Sequence, residues 1–125
     1  MKQQRLTEQT NHSRRKQSTA GQQRYRLTIH VPLADNDGIP FPAEQFANFE
    51  AYAGQLAGGV TDTGEIHGQW YHNGTKYRDT NRQYILIIPR RRSSAIATAI
   101  AKYIRTRFRQ LAVYAELTPV QVMGF

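Results

Sequence analysis

Asn73-Gly74 constrains this chain more than any other pair of residues. A two-residue type I′ turn needs positive φ at both central positions. Asparagine tolerates that conformation and glycine adopts it freely, so the pair reads as the tip of a β-hairpin. Gly68-Gln69-Trp70-Tyr71-His72 leads into the turn and Thr75-Lys76-Tyr77 leads out. The returning strand runs on to Tyr84-Ile85-Leu86-Ile87-Ile88 before Pro89. It is apolar in both alternating phases, the pattern of a central strand covered on both faces. Everything else in the chain has to pack against this ribbon.

On its N-terminal side, Tyr25, Leu27, Ile29 and Val31 alternate with Arg26, Thr28 and His30, a strand with one face on a core, ended by Pro32. Pro42 suits the first position of a helix, where a missing N–H costs nothing. Phe46, Phe49, Ala53 and Leu56 follow at helical spacing until Gly58-Gly59 stops them. Thr61-Asp62-Thr63-Gly64 reads as an irregular strand or bulge on the way into the hairpin. Beyond Pro89, Ile96, Ile100, Ile104 and Phe108 step by four along a second helix, with Lys102, Arg105 and Arg109 on its opposite face. Leu111, Val113, Ala115 and Leu117 then alternate with Ala112, Tyr114 and Glu116 as a last strand that Pro119 breaks, leaving Val120 to Val122 as a short extended tail.

Strand, helix, strand, strand, helix, strand is the split βαβ order of the ferredoxin-like α+β fold. Right-handed crossovers place both helices on one face of a four-stranded antiparallel sheet, with the first and third strands central. The other face is left open. His30, Thr28 and Arg26, Ile85 and Ile87, and Tyr114 and Glu116 are the residues in the uncovered phase, with Trp70 as an aromatic anchor beside them. Apolar residues on an open face call for cover, and a second copy of the chain is the commonest cover. The expectation is a non-catalytic binding or interaction module, homodimeric through its sheet.

Charge divides the 125 residues into two parts. Residues 1–24 hold six cations against the single anion Glu8, whereas the other 101 residues hold eleven cations against eight anions. Residues 1–23 are rich in Gln, Ser, Thr, Asn and Arg and too poor in apolar groups to offset ordering entropy, so they read as a disordered basic arm before a domain at 24–125. Without cysteine the chain has no disulfides and no thiolate metal sites. No apolar run resembles a signal peptide or a membrane span, so a cytoplasmic protein without membrane contact is expected.

Arg90-Arg91-Arg92-Ser93-Ser94 breaks a local rule, because cations at a helix N-terminus oppose its dipole. One reading is that guanidinium groups, hydroxyls and free N–H groups converge on a phosphate; the other is that the arginines serve solubility alone. With the basic arm they make a weak, non-specific polyanion or nucleic-acid binder the alternative function. A second alternative is a small dimeric α+β barrel enzyme with a pocket near His30 and Trp70, where histidine beside a carboxylate supplies a general base. No nucleophile with an adjacent base is evident. No cofactor is expected and no metal either: His67 and His72, five apart on a strand, fall on opposite faces. The sheet face lacks the basic-glycine-aromatic signature of RNA-recognition modules, and Ile85 and Ile87 stand where stacking aromatics would be needed.

Several landmarks also carry a resemblance. Val31-Pro32-Leu33 with Asp35-Asn36-Asp37-Gly38 and Phe41-Pro42, Gly58-Gly59-Val60-Thr61, Gly68-Gln69-Trp70, Tyr77-Arg78-Asp79, and Arg107-Phe108 with Gln110 occur in order. From Arg24 to Phe125 the chain resembles a family of small uncharacterised bacterial proteins, a domain of unknown function with a ferredoxin-like fold. That resemblance implies the fold and carries no catalytic or binding residues with it.

Overall fold

The computed structural model describes residues 22–124, so the expectation of a disordered arm at 1–23 falls almost wholly outside the described residues. The elements are β1 (Gln22–Pro32), α1 (Ala43–Ala57), β2 (Thr61–His72), β3 (Thr75–Pro89), α2 (Ser93–Arg107) and β4 (Ala115–Val122), with one 3₁₀ turn at Arg90–Arg92 before α2. The four strands form one antiparallel sheet in the order β2-β3-β1-β4. This is the ferredoxin-like arrangement, with β1 and β3 central. Strand β1 begins three residues before Tyr25, because Gln22 and Gln23 pair with Val122 and Gln121.

Period decides which side chains enter the core. Leu27, Ile29 and Val31 of β1 and Tyr84, Leu86 and Ile88 of β3 are buried under Phe46, Phe49 and Ala53 of α1 and Ile96, Ile100 and Ile104 of α2, with Phe108 closing the end. Burying one such side chain contributes roughly 1.5–3 kcal/mol, so this layer is what holds the helices to the sheet. Phe108 meets Phe41 edge-on at 5.0 Å between ring centroids and Phe46 at 5.5 Å, so three segments share one aromatic seam.

Caps and turns follow local chemistry. Asn73 and Gly74 take φ of 51° and 77°, the two positive values a type I′ turn requires. Helix α1 ends at Gly58 with φ 87°, its N–H bonded to the Gly54 carbonyl. Pro42 stands one residue before α1, in extended conformation. The bulge is present: the β2–β3 register shifts between Asp62 and Gly64, so Thr63 is the extra residue.

The last strand differs from expectation. Leu111 to Tyr114 form a loop, with Leu111 fully exposed, and β4 begins only at Ala115. The cause is the end of α2: Arg109 turns left-handed at φ 52° and Gln110 N–H returns to the Arg105 carbonyl, which holds the chain off the sheet for several more residues. Pro119 does not break β4 but lies inside it, opposite Tyr25. Because His30 N–H bonds to the Tyr114 carbonyl, hydrogen-bonded pairs fall on His30/Tyr114, Thr28/Glu116 and Arg26/Thr118. Pro119 therefore occupies the alternate position, where a backbone nitrogen faces away from β1, and the ladder loses nothing.

Beyond the body of the domain the β2–β3 hairpin continues as an arm. Every residue from His67 to Thr80 is exposed, on both faces of the ribbon. Among the described residues no helix is long and apolar enough to cross a membrane.

Candidate functional site

Register places the open-face residues in rows. His30 lies between Gln83 of β3 and Tyr114 beside β4; Thr28 lies between Ile85 and Glu116; Arg26 lies between Ile87 and Thr118. Thr28 is buried by these neighbours, Ile85 is half-buried and Ile87 is 38% exposed. The expected face thus exists and is not covered by either helix.

At the His30 end of this face the sheet opens. The β1–β3 pairing ends at Pro32 and Asn81, the loop before β4 swings away, and a cavity of about 540 Å³ lies between them. His30, Tyr114, Asn36, Arg78, Asp79 and Asn81 bring polar and aromatic groups to its wall, while Leu33, Ile104 and Val113 supply apolar lining. Tyr114 lies against His30 with ring centroids 4.5 Å apart and donates its hydroxyl to Glu116 at 2.5 Å. That hydrogen bond, joined by desolvation and the carboxylate's charge, raises the phenol's pKa above its ordinary value.

Sequence reasoning did not name the group that holds His30. Nε2 of His30 lies 3.1 Å from Oε1 of Gln83. The amide nitrogen of Gln83 donates to the Thr63 hydroxyl at 3.1 Å, and that hydroxyl donates to the Gln83 carbonyl at 2.9 Å. Thr63 reaches this position because it is the bulged residue of β2. The bulge was legible in Asp62-Thr63-Gly64, and Gln83 stands two before Ile85 in the same phase, so the signal was the meeting of the two.

Trp70 does not join His30. It opposes Tyr77 out on the arm, stacked on it at 4.4 Å, and its indole N–H donates to Asp79 at 3.1 Å. Asp79 does line the cavity, so Trp70 reaches it only through that carboxylate. Trp70, Tyr71 and Tyr77 are 47%, 66% and 40% exposed, a concentration of aromatic surface on a ribbon with no helix behind it.

The arginine run lies elsewhere, at the opposite end of β3. Arg90 packs on the Tyr25 ring at 5.2 Å and donates to the Arg24 carbonyl at 3.3 Å. Ser93 is buried, and its hydroxyl donates to the Arg90 carbonyl at 2.8 Å rather than capping α2, whose N-cap residue is Arg92. Arg91, Arg92 and Ser94 are exposed.

No family model matches this sequence, and no curated protein matches it. Solved structures do share its fold. A phage SAM lyase in complex with S-methyl-5'-thioadenosine superposes with a TM-score of 0.59 at 15% identity, covering 81% of this chain and 90% of that one. The divalent cation tolerance protein Cut A1 of Thermus thermophilus gives 0.54 at 11% identity over 79% and 84%. CutA1 of Oryza sativa gives 0.53 at 12% identity over 82% and 84%. At these identities the likeness is one of fold.

Proposed function

We propose that the chain is a self-associating binding module, in which a second copy covers the open sheet face and the β2–β3 arm. The observation that carries this reading is the arm itself. A two-stranded ribbon is at best marginally stable in water, yet this one extends from the body with three aromatic rings and, among the described residues, no cover on either face. Ile87, Tyr114 and Val122, all substantially exposed, extend the apolar surface onto the sheet. The run of landmarks from Val31 to Gln110 supports placing the module in the family of small bacterial proteins whose fold it shares. Sedimentation at micromolar concentration should give a mass of two or more chains, and Ile87→Lys or Tyr71→Lys should lower it. A monomer at every concentration tested would overturn the reading.

A second reading is favoured by the cavity: a small-ligand site, binding or catalytic, at the end of β1. Its volume falls in the range of ligand pockets, and a histidine held by a hydrogen bond to Gln83 lies in its wall. A neighbour of the same fold is a lyase in complex with a small thionucleoside, which supports a fold of this size carrying such a site. Weak polyanion binding through the basic residues 1–23 and Arg90 to Arg92 is a third proposal, supported by the exposure of Arg91 and Arg92 and independent of the other two.

A further inference from the structure

The polar groups around His30 are ordered in a way that selects a ligand. Thr63 has one hydroxyl proton, and it is given to the Gln83 carbonyl. The hydroxyl can then only accept from the Gln83 amide, which must turn its NH₂ toward Thr63 and its Oε1 toward His30. An amide oxygen accepts, so His30 must donate from Nε2. In the neutral ring the proton is therefore on Nε2, and Nδ1 is left as an acceptor for whatever fills the cavity that His30 lines. Tyr114, tilted by 34° against that ring and 54% exposed, offers further aromatic surface beside it. The side chain of Asn81, half-buried in the same wall, makes no hydrogen bond within the described residues and presents both a donor and an acceptor.

We infer that this cavity binds a planar nitrogen heterocycle that stacks at Tyr114 and donates an N–H to Nδ1 of His30, with Gln83 and Thr63 as positioning residues. The inference rests on the ligand-site reading of the cavity. It specifies a flat ring for the aromatic surface, an N–H for the imidazole lone pair, and a mixed donor–acceptor edge for Asn81.

Nuclear magnetic resonance on the full chain tests it in two independent parts. Long-range nitrogen–proton correlations, at a pH where the ring is neutral, should show His30 protonated on Nε2. Thr63→Val, with its melting temperature checked, should mix the two tautomers. A His30 protonated on Nδ1 in the unsubstituted chain overturns the inference. In the second part, 9-methyladenine, whose only N–H donors are on its exocyclic amine, should shift His30, Asn81 and Tyr114 resonances. Its N6,N6-dimethyl analogue, which has no donor, should bind at least about tenfold more weakly, the worth of one good hydrogen bond. Equal binding of the two purines, or the absence of shifts at these residues, overturns the inference. Glutarate and spermidine serve as non-aromatic controls. If either shifts the cavity residues while the purine does not, the cavity remains a ligand site and the heterocycle assignment falls.

Discussion

Tyr84 shows how one polar atom is accommodated under a helix. Its ring belongs to the core, 4.9 Å from Phe49, and its hydroxyl donates to Glu50 at 2.7 Å. Burial first, then the hydrogen bond and charge of Glu50, hold this phenol protonated far above its ordinary range. A group whose folded pKa is raised contributes stability that is whole below its unfolded value near 10 and is lost as pH climbs toward the folded value. The melting temperature of the unsubstituted protein should therefore fall more steeply above about pH 10 than that of Tyr84→Phe. At neutral pH Tyr84→Phe should cost about 1.5–3 kcal/mol, the range for a hydrogen bond to a charged partner. Parallel melting curves above pH 10 would remove Tyr84 from the account. The ring's burial was legible in the apolar run at Tyr84 to Ile88. Its partner was legible only afterwards: Glu50 stands four residues after Phe46, a carboxylate on the stripe that faces the sheet.

Among the elements, the hairpin is the most exactingly specified and the least supported by packing. Gly74 adopts φ 77° with no heavy atom near the position a Cβ would occupy, so Gly74→Val strains the backbone without a clash. We expect a loss of about 1–2 kcal/mol of turn stability, read as faster amide exchange along the arm with the core amides unchanged. Exchange rising equally in β1 would mean that the arm and core unfold as one unit. Pro119 supplies the contrasting case. As a residue inside an alternating pattern it reads as a strand breaker, and that expectation fails because the decisive fact is tertiary. Among the described residues strand β4 has a single neighbour, and Pro119 falls at the position whose nitrogen faces outward. Pro119→Thr should thus change stability by less than about 1 kcal/mol. The loop at Leu111 to Tyr114 was hidden for a similar reason, since alternation continues through it by chance and only the left-handed turn at Arg109 ends it.

For the whole molecule, charge and fold are separable. Among the described residues the buried core runs from Leu27 to Phe108, and residues 1–21 are poor in apolar groups, so a chain beginning at Gln22 should melt within a few degrees of the full one. A larger fall would assign residues 1–21 a structural part. The same truncation should flatten the salt dependence of retention on a nucleic-acid support, and serine at Arg91 and Arg92 should flatten it further by up to about two phosphate contacts. Arg90 is left out because its guanidinium already rests on Tyr25. Retention indifferent to salt would leave these cations as solvated surface. The two outer strands of the sheet are also unlike each other. Pro119 removes a donor from the outer side of β4, whereas β2 carries no proline between Thr61 and His72. Pairing that prolonged the ladder could recruit β2 edges but would meet an interruption at β4. Two β2 edges joined antiparallel would close on a twofold axis and leave at each end a β4 that is one donor short on its outer side, an arrangement that disfavours further growth by strand addition.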